Sequence, residues 1–311
     1  MFRIAVLDDY QNVALSSADW SPLDGKATLT VFNDHLTDSD ALVARLEPFD
    51  VISVMRERTP LPRAVISRLP KLRLIASTGA RNASIDAAAA TELGIEVAHT
   101  GYNPTPTVEL TWALILASAR NLLGETGSLR SGGWQRFVGD DLAGRTLGVL
   151  GLGNIGGAVA RLGKAFGMDV IAWSQNLTEA RAGEVGARLV TKDELFGQAD
   201  ILTIHLVLSR RTVGLVGARE LNLMKPTARL VNAARGPIVV EADLIAALTN
   251  GRIAGAALDV FDHEPPSPDH PFRTLPNVLA TPHIGYVSRN LYARFYQDTV
   301  RNIRQWIDRQ P

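Results

Sequence analysis

The chain has 311 residues, 46% of them hydrophobic, with 32 basic residues against 32 acidic residues and no cysteine. Balanced charge offers no basic field for nucleic acid, so we expect small molecules and other copies of the chain as partners. The lack of cysteine excludes disulfide and thiolate chemistry and fits a reducing cytoplasm. No apolar run approaches the length of a membrane span, and the N-terminus reaches acidic residues too early for a signal peptide. We therefore expect a cytoplasmic protein with no membrane partner.

Short apolar runs alternate with helix-like segments over the first hundred residues. Such runs are typical of buried parallel strands, and they are Phe2–Leu7, Leu29–Phe32, Val51–Val54, Leu74–Ser77 and Glu96–Ala98. Helical spacing between them is clearest over Asp38–Leu46 and Pro62–Leu69. Strands that alternate with helices predict a parallel α/β sheet.

The middle of the chain changes character at two prolines, Pro104 and Pro106, which precede an apolar-rich helical stretch from Thr107 onwards. We expect this stretch to link two domains. The segment Ser131–Arg145 that follows is irregular and leads into a second series of strands.

The second series predicts a second doubly wound sheet of the dinucleotide-binding kind. Its strands are Leu147–Leu150, Val170–Trp173, Ile201–Leu206, Arg229–Asn232, Ile253–Leu258 and Val278–Ala280, with helices such as Ala218–Met224 and Glu241–Asn250 between them. A final amphipathic helix, Asn290–Arg309, comes after this sheet, and we expect it to pack on the first domain. The predicted division is a cofactor domain, 104–283, inserted into a discontinuous substrate domain of 1–103 plus 284–311.

A glycine-rich turn follows the first strand of the second sheet, where Thr146–Gly157 reads TLGVLGLGNIGG. The first glycine permits a tight turn, the second lets the backbone approach a pyrophosphate, and the third lets helix and strand pack closely. Unpaired amides at the start of the helix then face the anion. The predicted cofactor contacts here are Gly151, Gly153, Asn154, Ile155 and Gly156.

The second strand of this sheet ends in VIAWSQN, where an NAD site usually carries an acidic residue for the ribose hydroxyls. Ser174 and Gln175 occupy that region, and no basic residue appears before Arg181. We predict NAD as the cofactor, with NADP not excluded.

An arginine, a carboxylate and a histidine follow three later strands of the same sheet. Arg235 comes after Arg229–Asn232, Glu264 after Ile253–Leu258, and His283 after Val278–Ala280. Each alone is explained as a solvated charge or a structural histidine, but ligands bind at the carboxyl ends of such strands. Hydride transfer from a hydroxyl carbon needs a proton acceptor, which histidine supplies near neutral pH, and an arginine fork engages an acid and a keto oxygen. The three residues predict a catalytic set.

These motifs resemble the D-isomer-specific 2-hydroxyacid dehydrogenase family, because GLGNIG, VNAARG, ALDVFDHEP and TPHIG occur in the family's order. The resemblance implies a Rossmann cofactor domain inserted into a flavodoxin-like substrate domain. It also implies that Arg235 binds the substrate carboxylate and keto oxygen, that His283 exchanges the proton, and that Glu264 pairs with the imidazole. A homodimer is expected too, with the Ser118–Trp134 region as its contact.

The resemblance extends to further contacts. On the cofactor it implies Asp259 beside the nicotinamide carboxamide, His205 along the adenosine side, and Ala233 after the strand that precedes Arg235. An N-cap or turn aspartate is the other reading of Asp259, and a structural histidine is the other reading of His205. The substrate residues that it implies are Arg56, Thr78, Gly79, Ala80 and Arg81. The turn STGARNASID departs from the common pattern by the extra Arg81, so a phosphate or second carboxylate held by Arg56, Arg58 and Arg81 is one reading. Solvated arginines, or arginines paired with Glu57 and Asp86, are the other.

We therefore expect an NAD(P)-dependent dehydrogenase or reductase of small D-2-hydroxy acids, with 3-phosphoglycerate and glyoxylate or hydroxypyruvate as the nearest substrate guesses and no metal site. The alternative from another class is an NAD(H)-sensing, corepressor-like interaction protein, since the family includes such members on the same scaffold. Tyr286 and Trp134 either shape the pocket or simply pack.

Overall fold

A computed structural model describes residues 1–311 and divides into two compact units. The first unit contains Met1–Asn103 and Val287–Pro311, and the second contains Pro104–Tyr286. Each unit holds one sheet in which every strand pairing is parallel, which confirms the predicted fold class. None of the helices combines the length and the apolar character that a membrane crossing requires.

The first unit is a five-stranded sheet in the order β2-β1-β3-β4-β5, the doubly wound order of flavodoxin-like domains. Its strands are β1 (Phe2–Val6), β2 (Ala27–Val31), β3 (Val51–Val54), β4 (Leu74–Ser77) and β5 (Glu96–His99). Its helices are α1 (Ser39–Leu46), α2 (Arg63–Ile66), α3 (Ala87–Glu92) and α11 (Arg289–Ile307).

The core of this unit lies on both faces of the sheet. Every residue of β3 and β4 is buried, which explains why these strands read as continuous apolar runs. One face is covered by α1, α2 and α3, with Leu46 and Ile75 among the buried side chains. The final helix, α11, packs on β4 and β5, and buries Phe295 and Tyr296.

The second unit is a seven-stranded sheet in the order β12-β11-β10-β9-β6-β7-β8, so the strand order reverses between β6 and β9. Its strands are β6 (Thr146–Leu150), β7 (Asp169–Trp173), β8 (Arg188–Leu189), β9 (Ile201–Ile204), β10 (Arg229–Asn232), β11 (Gly255–Leu258) and β12 (Val278–Ala280). Its helices are α4 (Thr105–Ala119), α5 (Leu122–Arg130), α6 (Asn154–Ala165), α7 (Glu179–Gly183), α8 (Lys192–Gln198), α9 (Ala218–Leu223) and α10 (Glu241–Thr249). Ligands of such sheets bind beyond the carboxyl ends of the strands at this reversal.

Three predicted elements are wrong in their extent. The helical stretch from Thr107 is two helices, α4 and α5, because Asn121 between them has a left-handed φ of 46°. The strand predicted from Ile253 begins at Gly255, and the one predicted to Leu206 ends at Ile204. Both Ile253 and Leu206 pack into the core from residues outside the β-ladder, so the apolar pattern extends beyond the hydrogen bonding.

A half-buried carboxylate ties β6 to the turn before β9. Asp200 Oδ2 accepts a hydrogen bond from the Thr146 amide at 2.8 Å, and Oδ1 accepts one from Lys225 Nζ at 2.7 Å. Burial raises the pKa of Asp200, but the hydrogen bonds from Lys225 and Thr146 outweigh it and leave the pKa below its ordinary value. The ionised carboxylate therefore stabilises the fold above the pH at which the unfolded chain titrates.

We expect Asp200→Asn to lower the free energy of unfolding by about 1 kcal/mol at neutral pH, since the amide cannot replace the charge-assisted bonds. The loss shrinks as the pH falls below about 4, where the unfolded chain takes up a proton at this carboxyl group, and it vanishes below the lowered pKa of the folded wild type. Urea denaturation followed by circular dichroism at several pH values measures both effects. Asp193→Asn, which breaks an exposed pair with Arg219, is the control and leaves the free energy of unfolding close to that of the wild type. An equal loss for Asp200→Asn at acidic and neutral pH contradicts this account.

Candidate active site

The glycine turn after β6 is built for close backbone approach. Gly151 has a φ of 101°, and a Cβ there would lie 2.9 Å from the carbonyl of His205 at the end of β9. A Cβ on Gly156 would lie 2.0 Å from the Gly151 carbonyl oxygen, so neither position accepts a side chain. A Cβ on Gly153 would meet nothing within 4 Å. The turn is therefore packed against backbone atoms at Gly151 and Gly156, and it leaves open space at Gly153.

The start of α6 faces the open side of this turn. Gly153 is the N-cap residue and offers no side-chain acceptor, so the first amides of the helix, from Asn154 and Ile155 onwards, have no side-chain cap. A helix of twelve residues carries a partial positive charge at this end. The open space and the uncapped amides fit an anionic pyrophosphate, as the sequence predicts.

The side chains that follow the carboxyl end of β7 carry no charge. Ser174 is half-buried and its carbonyl accepts the Leu177 amide at 3.1 Å, while Gln175 is exposed. His205, at the end of β9, forms a 2.9 Å hydrogen bond between Nε2 and Thr203 Oγ1. Burial lowers the pKa of His205 to about 3, so its ring is neutral at physiological pH. The region predicted for the adenosine side thus contains hydrogen-bonding groups without charge.

Arg235 lies in a turn that is shaped by Asn232. The Asn232 side chain accepts the Ala234 amide at 3.0 Å and donates to the Arg235 carbonyl at 3.0 Å, and Arg235 Nη1 donates to the Ala234 carbonyl at 2.7 Å. Ala233 is buried at the end of β10 beside this turn. The Asn232 side chain thus holds in place the backbone from which the guanidinium of Arg235 projects.

The turn with Arg235 lies directly against the segment with Glu264. A Cβ on Gly236 would lie 2.1 Å from the Phe261 carbonyl carbon and 2.6 Å from the Asp262 amide. The two backbones are therefore in contact, which only a glycine at position 236 permits. This contact brings the segments after β10 and β11 together.

Glu264 and His283 are joined by a side-chain hydrogen bond. Glu264 Oε2 is 2.5 Å from His283 Nδ1, and Glu264 Oε1 accepts the Phe261 amide at 3.0 Å. The side chains keep 33% and 21% of their surface exposed, so the pair is accessible from solvent. His283 has a left-handed φ of 52°, and its ring contacts Tyr286 edge-to-face with centroids 5.4 Å apart. With Nδ1 bound to the carboxylate, Nε2 is the ring nitrogen left for a reacting group.

Asp259 holds the backbone on which His283 lies. Its carboxylate is fully buried, and it accepts hydrogen bonds from Thr281 Oγ1 at 2.6 Å and from the amides of Ile284 and Gly285 at 2.8 Å each. Burial raises the pKa of Asp259, whereas these hydrogen bonds oppose that shift. Asp259, the predicted cofactor contact, is thus also an anchor of the loop after β12. The sequence allowed a structural turn role for it but did not predict these amides, because an acidic residue after a strand does not reveal which amides it will meet.

In the first unit, Arg56 folds over the predicted substrate turn. Its guanidinium lies 3.3 Å from the Thr78 carbonyl and 3.4 Å from the Arg81 carbonyl, and a Cβ on Gly79 would lie 1.7 Å from Nη1. The Gly79 amide donates to Thr100 Oγ1 at 2.7 Å. Ala80 and Arg81 are exposed. The structure therefore brings Arg56 and the turn Thr78–Arg81 together.

Arg58 is directed at other groups of this unit. It donates to the Asp8 carbonyl at 2.6 Å and to the Tyr292 hydroxyl at 2.9 Å, and its guanidinium lies 4.5 Å from the centre of the Tyr10 ring. Buried Asp8 also accepts from Thr59 Oγ1 at 2.6 Å. Burial and the Asp8 charge raise the pKa of Tyr10 to about 12. The structure places Arg58 in this cluster.

Trp134 and Tyr286, the two aromatic residues considered for the pocket, differ in their solvent exposure. Trp134 follows α5 with 72% of its surface exposed, whereas Tyr286 is buried beside His283. No group of three or more His, Cys, Asp or Glu side chains is arranged to hold a metal ion.

Comparison with known proteins gives consistent matches. The sequence profile described as "D-isomer specific 2-hydroxyacid dehydrogenase, NAD binding domain" matches residues 112–285. A glyoxylate reductase of Aeropyrum pernix is 41% identical over 249 residues, which are 77% of this chain and 74% of that protein. A D-3-phosphoglycerate dehydrogenase of Archaeoglobus fulgidus is 40% identical over 253 residues, which are 80% of this chain and 48% of that protein. The chain spans about half the length of the phosphoglycerate dehydrogenases that it matches.

Solved structures also match the chain over its full length. The crystal structure of a phosphoglycerate oxidoreductase from Vibrio cholerae O395 is similar with a TM-score of 0.95 and 37% identity, and the match covers 100% of both chains. This chain is therefore similar to that protein over both units.

We expect Gly236→Ala to destabilise the protein by about 2 to 3 kcal/mol, because the added methyl group overlaps the backbone at Phe261 and must displace it. Thermal unfolding by differential scanning calorimetry measures the loss. Gly183→Ala is the matched control, since it lies in α7 and a Cβ at that helical position meets nothing within 4 Å. A melting temperature of Gly236→Ala equal to that of the wild type contradicts the close backbone contact.

Proposed function

Because the chain belongs to the D-isomer specific 2-hydroxyacid dehydrogenase family, we propose that it is an NAD-dependent enzyme that interconverts a D-2-hydroxy acid and its 2-oxo acid. The observation that carries the proposal is the Glu264–His283 pair at 2.5 Å, beside the turn that holds Arg235. An acid/base pair and a fixed cation on neighbouring strand ends are what proton and hydride transfer at one carbon require.

His283 exchanges the proton. Its Nδ1 proton is held by Glu264, so Nε2 accepts the hydroxyl proton when the acid is oxidised and returns it to oxygen when the keto acid is reduced. The carboxylate stabilises the imidazolium that forms in between. Bound NAD⁺ or NADH supplies the acceptor or donor of the hydride on the same carbon.

Arg235 binds the two oxygen-bearing groups of the substrate. The guanidinium provides several N–H donors in one plane, which suits a carboxylate next to a keto or hydroxyl oxygen. Its permanent charge also stabilises the oxygen as negative charge develops on it. The Asn232 side chain fixes the Arg235 backbone, so this cation is positioned before the substrate arrives.

The residues of the second unit fit the dinucleotide. The open space above Gly153 and the uncapped amides from Asn154 and Ile155 would hold its pyrophosphate, over the turn that Gly151 and Gly156 keep tight. Ser174 and Gln175 would bind the adenosine ribose through neutral groups. His205, Ala233 and Asp259 complete the proposed set, and Asp259 Oδ2, which accepts only the Gly285 amide, still has a lone pair for a further donor.

The substrate is proposed to be a short 2-oxo acid. Relatives named D-3-phosphoglycerate dehydrogenase and glyoxylate reductase are about equally similar to the chain. Arg56 with the turn Thr78, Gly79, Ala80 and Arg81 is the proposed substrate-binding region of the first unit. Exposed Arg81 is the residue there that would meet a second acidic group.

We expect purified protein to oxidise NADH with at least one acid among glyoxylate, hydroxypyruvate, phosphohydroxypyruvate and pyruvate, measured by the absorbance of the reduced nicotinamide. His283→Ala lowers kcat by about 1,000-fold and Glu264→Gln by about 10- to 100-fold, because proton transfer and its orientation are lost. Arg235→Ala lowers kcat/KM by about 1,000-fold. His99→Ala, at an exposed strand position, is the control and stays within twofold of the wild type.

Running the same acids with NADPH determines the cofactor preference. Cofactor binding without turnover of any acid favours the nucleotide-sensing alternative and contradicts the proposed reaction. Near-normal turnover by His283→Ala contradicts the assignment of the proton-exchanging residue.

The enzyme is further proposed to be a homodimer that pairs through α5 and the segment after it. This part of the second unit concentrates exposed apolar side chains, which are Leu122, Leu123, Leu129, Trp134, Phe137 and Val138. A cluster of this kind marks a contact surface in a water-soluble unit. A second copy is the partner that the family resemblance implies, and symmetric pairing buries the same patch from both chains.

We expect the double variant Trp134→Ser, Phe137→Ser to sediment as a monomer at concentrations where the wild type is a dimer, because two large apolar contacts per chain are removed. Analytical ultracentrifugation measures the change. Leu15→Ser, at an exposed apolar residue of the first unit, is the control and leaves the dimer intact. A wild type that is monomeric at all concentrations, or a double variant that remains dimeric, contradicts this interface.

A further inference from the structure

The position of Glu264 depends on a segment without regular hydrogen bonding. Residues 259–277 connect β11 to β12 and contain only one short helical turn, Pro271–Arg273. Glu264 Oε1 is bound by the Phe261 amide, so Glu264 moves when the backbone at Phe261 and Asp262 moves. Whatever fixes this backbone therefore fixes the carboxylate that faces His283.

A carboxylate outside the predicted site binds this backbone. Glu241, the first residue of α10, accepts the Asp262 amide on Oε2 at 3.4 Å. The same carboxylate is 3.0 Å from His270 Nε2 through Oε1. The negative charge of Glu241 also acts on the neighbouring Asp262, because burial and this charge together raise the pKa of Asp262. The Glu241 side chain thus contacts the segment that carries Glu264 at two places, Asp262 and His270.

The tautomer of His270 is determined by its neighbours. His270 Nδ1 accepts the Phe272 amide at 3.2 Å and so carries no proton, which leaves the Nε2 proton to be donated to Glu241. The ring also contacts Phe261 edge-to-face, with centroids 6.3 Å apart. His270 is half-buried, with 14% of its side-chain surface exposed. It therefore makes two directional bonds and one apolar contact within the same segment.

We propose that Glu241 and His270 are positioning residues for the Glu264–His283 pair. They act through the backbone at Phe261 and Asp262, which also lies in close contact with Gly236. Neither residue forms part of the acid/base pair, and each contributes by holding Glu264 at hydrogen-bond distance from His283 Nδ1. The inference rests on the proposed function, since it assigns these residues to the same reaction.

Two variants of His270 separate the bond to Glu241 from the bond to Phe272. Gln places a side-chain N–H donor where Nε2 lies and keeps the bond to Glu241, whereas Asn places an acceptor where Nδ1 lies and keeps the bond to the Phe272 amide. We expect His270→Asn to lower kcat about tenfold with KM for NADH and for the 2-oxo acid within twofold. His270→Gln keeps kcat within about twofold of the wild type.

Glu241→Gln tests the other partner, and it is expected to lower kcat about tenfold, because an amide cannot accept both N–H groups. Glu220→Gln is the matched control. Glu220 likewise accepts a backbone amide, from Gly217 at 3.1 Å, and a basic side chain, Lys192 at 2.9 Å, but it lies in α9 away from this segment. Its kcat stays within twofold of the wild type.

Hydrogen exchange of the Phe261 and Asp262 amides provides a readout that needs no turnover. We expect exchange at these amides to be about tenfold faster in His270→Asn and Glu241→Gln than in the wild type, with unchanged exchange in β6 and β9. If the wild type reduces no 2-oxo acid, the proposed function fails while the exchange rates still test the positioning. The proposal is overturned if the reverse order holds for the two His270 variants, with Asn active and Gln impaired, or if exchange and kcat are unchanged in Glu241→Gln.

Discussion

The hydrogen bond between Glu264 and His283 is the interaction on which the rest of the proposed site depends. It joins the segments that follow β11 and β12, and it leaves Nε2 of the histidine for a substrate oxygen. Because Glu264 and His283 come from different segments, a distance of 2.5 Å between their side chains requires that the backbone of each segment is held in place. Much of the surrounding polar structure of the second unit does this: Asp259 holds the backbone of His283, and the Phe261 amide holds Glu264.

Close backbone packing supplies the second constraint. Gly236 allows the turn after β10 to touch the segment after β11, and Gly156 allows α6 to touch the turn after β6. At both positions a methyl group would overlap main-chain atoms, which cannot rotate away as side chains do. The glycines therefore determine how near the Arg235 turn lies to the Glu264 segment, and how near the helix N-terminus lies to the end of β6.

Charge is distributed unequally between the two proposed binding regions of the second unit. The region assigned to the adenosine ribose has Ser174 and Gln175, and the nearby His205 is kept neutral because burial lowers its pKa to about 3. The proposed reaction centre holds Arg235, Glu264 and His283. In the proposed site the cofactor would be bound mainly through backbone amides and neutral groups, and the charges would be concentrated where protons and hydride move.

The amino-acid sequence by itself determined the two parallel sheets, the glycine turn and the three strand-end residues, because strand–helix alternation and the position of polar residues after apolar runs are local patterns. The sequence pattern predicted one strand to begin too early, at Ile253, and another to end too late, at Leu206, because buried apolar residues extend beyond the β-ladder. It also predicted α4 and α5 as one helix across Asn121. Only the tertiary structure decided that Asp259 anchors the His283 loop and that Glu241 meets Asp262 and His270. These contacts join residues far apart in the chain, and no local pattern specifies which amide a given carboxylate will meet once the strands are side by side.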